Sequence, residues 1–147
     1  MLARRQADVD WRGTLEQGEG SFTVGSWMIG EIPVTWASRT TPAESSTSPE
    51  ELMAASHASC YAMALSLVLE ERKTPPQRLH VSAICTLEAV DEAFRITTMD
   101  LEVHGQVSGL DEEGFRSAVD HAHHICPVSN ALKDNVDIQV HTTLESL

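Results

Sequence analysis

A long apolar segment between a helix-start and a helix-stop signal constrains the fold of this chain more than any other feature. Ser48 can cap a helix, Pro49 suits the first helical position, and Glu51 completes a capping box. The prolines at 75–76 cannot continue a helix, so the pattern predicts that it ends near residues 72–73. Small and apolar residues recur at helical spacing and predict one buried stripe: Leu52, Ala55, Ser56, Ser59, Cys60, Met63 and Leu67.

Strand signals lie on both sides of this helix. The patterns predict strands at 9–15, 21–24, 30–36, 79–90, 94–107 and 136–144, an exposed loop at 40–48, a second helix at 111–124 and a helical turn at 128–133. Alternation slips within 94–107, which predicts a β-bulge there. Strands that do not alternate regularly with helices favour an α+β fold with mostly antiparallel sheet. The 147 residues fit one domain spanning 1–147.

The charge balance excludes several classes of partner. The chain carries 22 acidic and 10 basic residues, a formal net charge of -12. Nucleic acids and anionic membranes both attract cationic surfaces, so neither is an expected partner. No apolar run approaches the roughly 20 residues of a membrane span, and no signal-peptide core follows Arg4 and Arg5. We therefore expect a cytoplasmic protein whose three cysteines do not form a structural disulfide framework.

Cys60 and Cys126 are the candidate reactive groups. A cysteine on a helix stripe is most often a small buried hydrophobe. However, Ser56, Ala58 and Ser59 leave room around Cys60, and the proline after Cys126 takes that residue out of the helical conformation. Such a pair suits thiol peroxidase chemistry, in which one thiolate becomes a sulfenic acid and a second thiol condenses with it to a disulfide.

The attacking thiolate requires nearby positive charge, because a free cysteine has a pKa of about 8.5. Cys60 lies three turns inside its helix, where the helix dipole has faded. Arg39, in the loop before the helix, is the candidate cation, and Glu50 in the first helical turn can hold its guanidinium with two hydrogen bonds. Spacing alone also allows a solvated Arg39 and a Glu50 that only complements the helix dipole.

Two segments of the chain resemble a known family. Residues 48–65 read SPEELMAASHASCYAMAL, and residues 126–132 read CPVSNAL. They resemble the cysteine helix and the second-cysteine motif of the OsmC/Ohr family, the osmotically inducible and organic-hydroperoxide-resistance proteins. Residues 11–13, which read WRG, and the turn GEG at 18–20 resemble the opening of the OsmC branch.

The resemblance implies an α+β intertwined homodimer that reduces organic hydroperoxides. It implies Cys60 as the peroxidatic cysteine, Cys126 as the resolving cysteine, and Glu50 as the residue that orients the catalytic arginine. Arg39 matches that arginine in the OsmC branch, whereas the Ohr branch takes it from nearer the N-terminus, where this chain offers Arg12. The implied reductant is external, a dihydrolipoyl group on a lipoylated partner protein, and no bound metal, haem or flavin cofactor is implied.

Other functions stay open at this stage. The same fold could be a redox-sensing or ligand-binding module, in which the disulfide changes a surface instead of clearing peroxide. His121, His123 and His124 lie close to Cys126 and could bind zinc. A zinc site needs an oriented second shell as well, and histidines at a helix C-terminus also suit the dipole.

Several further residues carry weaker expectations. We expect His57 to pack beside the site and Cys85 to be a buried strand residue. Trp36, Met53 and Met63 could line a pocket for the organic tail of a hydroperoxide, or they could belong to the core.

Overall fold

The structure is a computed structural model of the chain, and it describes residues 3–26, 29–41 and 46–146. The chain forms two compact units, Met1–Leu52 and Met53–Leu147. Within the described residues, the helices and two three-stranded sheets confirm the α+β class. The expectation of one domain spanning 1–147 stays a prediction. Residues 42–45, at the centre of the predicted loop, lie outside the described residues.

The first unit contains an antiparallel sheet followed by a short helix. Its elements are the strands β1 (Ala7–Arg12), β2 (Glu19–Val24) and β3 (Ile32–Val34) and the helix α1 (Trp36–Thr40). The strands lie in the order β1-β2-β3, and both pairs are antiparallel. The strands predicted at 9–15 and 21–24 therefore correspond to β1 and β2, which pair as a hairpin.

Helix α1 occupies a segment that the sequence pattern assigned to a strand and a loop. The predicted strand at 30–36 is too long, because Thr35 and Ser38 form a capping box that starts a helix. Thr35 Oγ1 accepts a hydrogen bond from the Ser38 N–H at 3.0 Å, and Ser38 Oγ accepts one from the Thr35 N–H at 3.1 Å. This helix carries Arg39.

Helix α2 (Pro49–Glu71) begins and ends at the predicted signals. Ser48 caps it, since Ser48 Oγ accepts a hydrogen bond from the Glu51 N–H at 3.2 Å. At the other end Lys73 adopts a left-handed conformation with a φ of 62° and donates its N–H to the carbonyl of Glu70 at 2.9 Å. The predicted helix is confirmed.

The buried face of α2 differs from the predicted stripe. Tyr61, Leu65 and Leu69 are fully buried, whereas Met63 is 67% exposed and Leu67 is 49% exposed. The stripe prediction is wrong because α2 is apolar on two faces, and periodicity cannot say which of two apolar faces a helix buries.

Helix α2 also has the length and apolar character of a membrane-spanning helix. Its most apolar 18-residue window has a mean hydropathy of 1.5, and 33% of that window is buried inside the structure. The sequence expectation underestimated this run, since the glutamates at 50–51 and 70–71 interrupt it only at its ends. The core helix of a soluble protein passes the same test.

The second unit adds a mixed sheet and two helices to α2. Its elements are β4 (Arg78–Val90), β5 (Ala93–Gln106), α3 (Glu112–Ile125), α4 (Pro127–Leu132) and β6 (Asp137–Leu144). Strands β4 and β5 form an antiparallel hairpin, and β6 joins β5 in parallel. The pairing of β5 with β4 skips Thr97, which confirms the bulge predicted in this segment.

The core of the second unit is made by α2, α3 and β5, with side chains of β4 and β6 packed against it. Among its fully buried members are Tyr61, Leu65, Leu101, Val103 and Phe115. Burial of each such side chain stabilises the fold by roughly 1.5–3 kcal/mol. A Cβ on Gly105 of β5 would lie 2.4 Å from the Phe115 ring, so glycine permits α3 to pack closely on the sheet. This packing fixes the two helices that lead to Cys60 and Cys126.

Candidate redox site

The two candidate cysteines lie on different elements of the second unit. Cys60 lies on α2, beside the fully buried Tyr61. Cys126 ends α3 and begins α4: its N–H donates to the carbonyl of Ala122 at 2.9 Å, and Pro127 occupies the first position of α4. The proline takes Cys126 out of the helical conformation, so its thiol lies at the junction of two helices.

The thiols of Cys60 and Cys126 contact each other. The Cys126 side chain is close enough to the Cys60 thiol to raise the pKa of Cys60, and the backbone N–H of Val128 is close enough to lower it. Both cysteines are free thiols, and Cys126 is fully buried whereas Cys60 is half-buried. In this arrangement a reagent from solvent meets Cys60 first, and Cys126 is placed to react with Cys60.

Burial is the largest influence on the Cys60 thiol, and it raises the pKa of Cys60. The Val128 N–H lowers this pKa because it stabilises the thiolate, while the neighbouring Cys126 thiol raises it. The net shift is upward, so these surroundings favour the protonated thiol at neutral pH. A reactive Cys60 thiolate therefore needs positive charge in addition to the Val128 N–H.

Within the first unit, Arg39 and Glu50 form an ion pair. Arg39 Nη2 donates to Glu50 Oε1 at 2.6 Å, and Arg39 Nε donates to Oε1 at 3.1 Å and to Oε2 at 3.3 Å. Arg39 Cζ also lies 5.6 Å from the centroid of the Trp36 ring. The sequence placed Arg39 in a loop, but it lies in α1, where its own helix and these contacts fix the guanidinium.

Glu50 is ionised at neutral pH in this pair. Burial by itself would raise the pKa of Glu50, but hydrogen bonds from Arg39, from its own backbone N–H and from Ser48, together with the Arg39 charge, lower it. Arg12, the alternative cation, is the last residue of β1, where it is exposed and lies opposite Glu19. The structure thus pairs Glu50 with Arg39.

A buried hydrogen bond beside the two cysteines was missed by the sequence pattern. His57 Nε2 and Ser129 Oγ lie 2.8 Å apart, although 72 residues separate them in the chain. His57 is fully buried and Ser129 is 2% exposed. Their positions carried a signal in retrospect, because each polar residue stands three positions from a cysteine on a helix, which places it about one turn away.

The histidines at the end of α3 do not gather into a metal site. In residues 3–26, 29–41 and 46–146, no group of three or more His, Cys, Asp or Glu side chains is arranged to hold a metal ion. His121 and His124 are exposed, while His123 is half-buried with its ring centroid 5.7 Å from that of His124. Burial and the neighbouring His124 lower the pKa of His123, so its ring is neutral at neutral pH.

The remaining sequence-predicted residues are less buried than expected of core members. Cys85 is half-buried on β4 and so is not the fully buried residue that its strand pattern predicted. Trp36 and Met53 are also half-buried, and Met63 is exposed.

Sequence comparison relates the chain to known proteins. A profile of the family described as OsmC-like protein matches residues 42–141. The chain is 33% identical over 138 residues to the peroxiredoxin OsmC of Escherichia coli strain K12, covering 94% of this chain and 96% of that protein. It is 31% identical over 93 residues to the organic hydroperoxide resistance protein of Xanthomonas axonopodis pv. citri, covering 63% of each.

Solved structures of similar proteins share the fold. An organic hydroperoxide resistance protein OsmC from Legionella pneumophila has a TM-score of 0.77 at 23% identity, with 97% of this chain and 98% of that chain covered. The organic hydroperoxide resistance protein OhrB of Bacillus subtilis has a TM-score of 0.73 at 26% identity, with 94% and 98% covered. Because the profile matches more than half of the sequence and the Escherichia coli relative is similar along nearly all of it, this chain belongs to the OsmC-like protein family.

Proposed function

We propose that this chain is a thiol peroxidase that reduces organic hydroperoxides to alcohols, with Cys60 as the attacking thiolate and Cys126 as the resolving thiol. The observation that carries the proposal is the contact between the half-buried Cys60 thiol and the fully buried Cys126 thiol. A peroxidase-type role is also supported by the relatives, which are named peroxiredoxin OsmC and organic hydroperoxide resistance protein.

The proposed cycle has two chemical steps. The Cys60 thiolate attacks the distal peroxide oxygen, so that an S–O bond forms, the O–O bond breaks, and the alkoxide leaves and takes up a proton to become the alcohol. The Cys126 thiol then attacks the Cys60 sulfenic acid; an S–S bond forms, the S–O bond breaks, and water leaves. Burial of Cys126 suits its role, because peroxide in solution reaches Cys60 more easily.

We assign the activation of Cys60 to Arg39, with Glu50 as the residue that positions it. The raised pKa of Cys60 creates the need for a cation, and the guanidinium of an arginine stays charged throughout the working pH range. Three hydrogen bonds to the buried Glu50 carboxylate fix the direction of the Arg39 guanidinium. The assignment to the Cys60 thiolate rests on this need and on the match of Arg39 to the arginine of the OsmC branch.

The working molecule is proposed to be an intertwined homodimer. One face of α2 packs on the core of the second unit, while Met63 and Leu67 on another face are exposed. A bilayer is an unsuitable partner for this face, since the neighbouring α3 carries Glu112 and Glu113 in its exposed first turn. A second copy of the chain supplies an apolar surface of the same kind.

The proposed reductant is a dihydrolipoyl group on a partner protein, which reduces the Cys60–Cys126 disulfide and becomes a cyclic disulfide itself. This exchange balances, because two thiols are oxidised as two are regenerated. The proposed compartment is the cytoplasm, because a disulfide in that reducing environment is more often transient and catalytic than structural. No resident cofactor takes part in the proposed cycle.

Steady-state turnover with cumene hydroperoxide and dihydrolipoamide tests this function. The variant Cys60→Ser should have no activity, and Cys126→Ser should complete at most a few turnovers before Cys60 is oxidised to the sulfinic acid. Cys85→Ser is the matched control, because it removes the third thiol and should leave turnover unchanged.

Two outcomes would contradict the proposal. Sustained activity of Cys60→Ser would exclude Cys60 as the attacking group. A wild-type protein that reacts once and then stops in the presence of reductant would identify a redox-sensing module of the same fold.

A further inference from the structure

The hydrogen bond between His57 and Ser129 joins the two elements that carry the cysteines. His57 lies on α2 and Ser129 on α4, and the His57 Nε2 to Ser129 Oγ distance is 2.8 Å. Both side chains are buried, so water does not compete for this bond. A buried hydrogen bond of this kind stabilises the contact more than an exposed one, because the two groups cannot form replacement hydrogen bonds with water when the bond breaks.

The position of this bond relative to the thiols follows from helix geometry. His57 precedes Cys60 by three residues, and Ser129 follows Cys126 by three residues, so each lies about one turn, or ~4.5 Å along the axis, from its cysteine. The contact between the thiols and the bond between His57 and Ser129 are therefore two neighbouring links between the same pair of helices.

The histidine is neutral and can make only this one bond among the described residues. Burial, followed by repulsion from the charge that His123 gains when it is protonated, lowers the pKa of His57 to about 4. In the described part of the chain, His57 Nδ1 is buried without a hydrogen-bond partner. A buried unpaired N–H costs more than a buried unpaired lone pair, which favours the tautomer in which Nε2–H donates to Ser129 Oγ.

We propose that His57 and Ser129 are positioning residues that hold α4 against α2, so that the Cys126 thiol is in contact with Cys60 before Cys60 is oxidised. The effect of this positioning on catalysis rests on the proposed function. In a peroxidase, the His57–Ser129 bond would set how fast Cys126 reacts with the Cys60 sulfenic acid. A polar pair in this place costs desolvation that two apolar side chains would not. Its directional bond, however, fixes the register of α4 on α2, which an apolar contact does not.

The consequence concerns a competition between two reactions of the Cys60 sulfenic acid. Attack by the Cys126 thiol forms the disulfide and releases water. Attack of the sulfenic acid on a second hydroperoxide molecule forms the sulfinic acid. In this step a second S–O bond forms, the O–O bond of the hydroperoxide breaks, and a second alcohol molecule leaves. Loss of the His57–Ser129 bond moves Cys126 away from Cys60 for part of the time and shifts the balance toward the sulfinic acid.

Equilibration with glutathione tests the positioning without any peroxidase activity. In a Cys85→Ser background, the Cys60–Cys126 disulfide exchanges with two glutathione thiols to give the dithiol and glutathione disulfide, and the equilibrium gives the effective concentration of the pair. Ser129→Ala should lower this effective concentration by about fivefold or more, the equivalent of ~1 kcal/mol for one hydrogen bond. His57→Gln, whose amide nitrogen can donate to Ser129 in place of Nε2, should keep most of the wild-type effective concentration.

A second buried hydrogen bond of α2 provides the matched control. Tyr61 Oη donates to the carbonyl of Val119 at 2.7 Å and joins α2 to α3 instead of α4. Tyr61→Phe removes a buried bond of similar length and should lower the stability of the fold while it leaves the effective concentration within about twofold of wild type. An equal drop in Tyr61→Phe and Ser129→Ala would overturn the proposal, because it would reveal general loosening of α2.

Exposure to excess cumene hydroperoxide tests the consequence for the cycle. Mass spectrometry should find sulfinic acid on Cys60 at about fivefold lower peroxide concentration in Ser129→Ala than in the wild type, with the rate of the first oxidation unchanged. An unchanged effective concentration in Ser129→Ala would overturn the inference even if the protein is a peroxidase. A lowered effective concentration in a protein without peroxidase activity would support the positioning role and reject the proposed function.

Discussion

At the scale of single residues, the Cys60 sulfur is subject to opposing influences. Burial and the Cys126 thiol raise its pKa, and the Val128 N–H lowers it by less than they raise it. The guanidinium of Arg39 has its direction fixed by Glu50, whose own pKa is lowered by the pair. The chemistry that we propose requires these two sets of groups to act on one sulfur, and a pH profile of Cys60 reactivity tests that requirement.

Removal of the Arg39 charge should raise the apparent pKa of Cys60. Alkylation of Cys60 by iodoacetamide reports the thiolate fraction, and Arg39→Met should shift the midpoint of its pH profile upward by about one unit or more. Glu50→Gln should give a smaller upward shift, because Arg39 keeps its charge but loses its anchor. Arg12→Met is the matched control and should leave the midpoint unchanged; a shift in Arg12→Met instead of Arg39→Met would identify Arg12 as the activating cation.

The Glu50 carboxylate also makes stability depend on pH. Its folded pKa lies below the ordinary value of 4.5, so its contribution is complete above that pH and is lost as the pH falls through the lowered folded pKa. The free energy of unfolding of Glu50→Gln should therefore be lower than that of the wild type by about 1 kcal/mol at pH 7. Denaturant titrations at pH 3 should find a smaller gap, and a gap that widens on acidification would contradict the lowered pKa.

At the scale of elements, the sequence predicted best where local chemistry decides the structure. The cap at Ser48 and the prolines after α2 bound that helix without any tertiary information. Helix α1 was missed because five residues are too short for periodicity, and its capping box ends in Ser38 where a glutamate or glutamine is the usual signal.

The buried face of α2 and the His57–Ser129 bond could not be predicted from the local sequence, because both depend on tertiary contacts. Two faces of α2 are apolar, and only packing against α3 and β5 selects the one with Tyr61 and Leu65. The partner of His57 lies 72 residues further along the chain, so no spacing rule connects the two. The family motifs led us to expect that Cys60 and Cys126 lie close together, which spacing alone does not indicate, and their roles as attacking and resolving cysteine stay a prediction.

The backbone of the turn between β4 and β5 is strained at two residues, and a glycine there would relieve the strain. Asp91 and Glu92 form a two-residue hairpin loop in which both have positive φ, 49° and 65°. Glycine adopts this conformation more easily than glutamate, so Glu92→Gly should raise the free energy of unfolding by about 0.5–1 kcal/mol. Glu71→Gly makes the same chemical change at an exposed helical position and should lower stability by a similar amount in urea titrations. Equal signs for the two variants would contradict the assignment of strain to the turn.

At the scale of the whole molecule, the proposed dimer explains why the face of α2 with Met63 and Leu67 is apolar and exposed. Met63 is 67% exposed on a helix whose other face is fully buried, and single chains rarely leave such a helix face in water. The net charge of -12 makes the chains repel one another, which opposes non-specific aggregation. The apolar face is therefore better covered by one specific partner.

Sedimentation equilibrium tests the dimer. The wild type should sediment at twice the chain mass of 16.1 kDa, and Met63→Lys should shift it toward the monomer because it places a charge in the apolar face. Met63→Leu, which keeps that face apolar, should sediment like the wild type. A wild-type protein that stays at 16.1 kDa across the micromolar range would remove the homodimer from the account.

The central claim is that one hydroperoxide molecule oxidises Cys60 to a sulfenic acid and that the Cys126 thiol then forms a disulfide with Cys60. Fully reduced protein treated with one equivalent of cumene hydroperoxide should lose about 2 Da, the two thiol hydrogens, and yield one equivalent of the alcohol. Peptide mapping should then find a single disulfide that joins Cys60 to Cys126. A disulfide that involves Cys85, an oxygen adduct in its place, or an unchanged Cys60 after the peroxide is consumed would contradict the account.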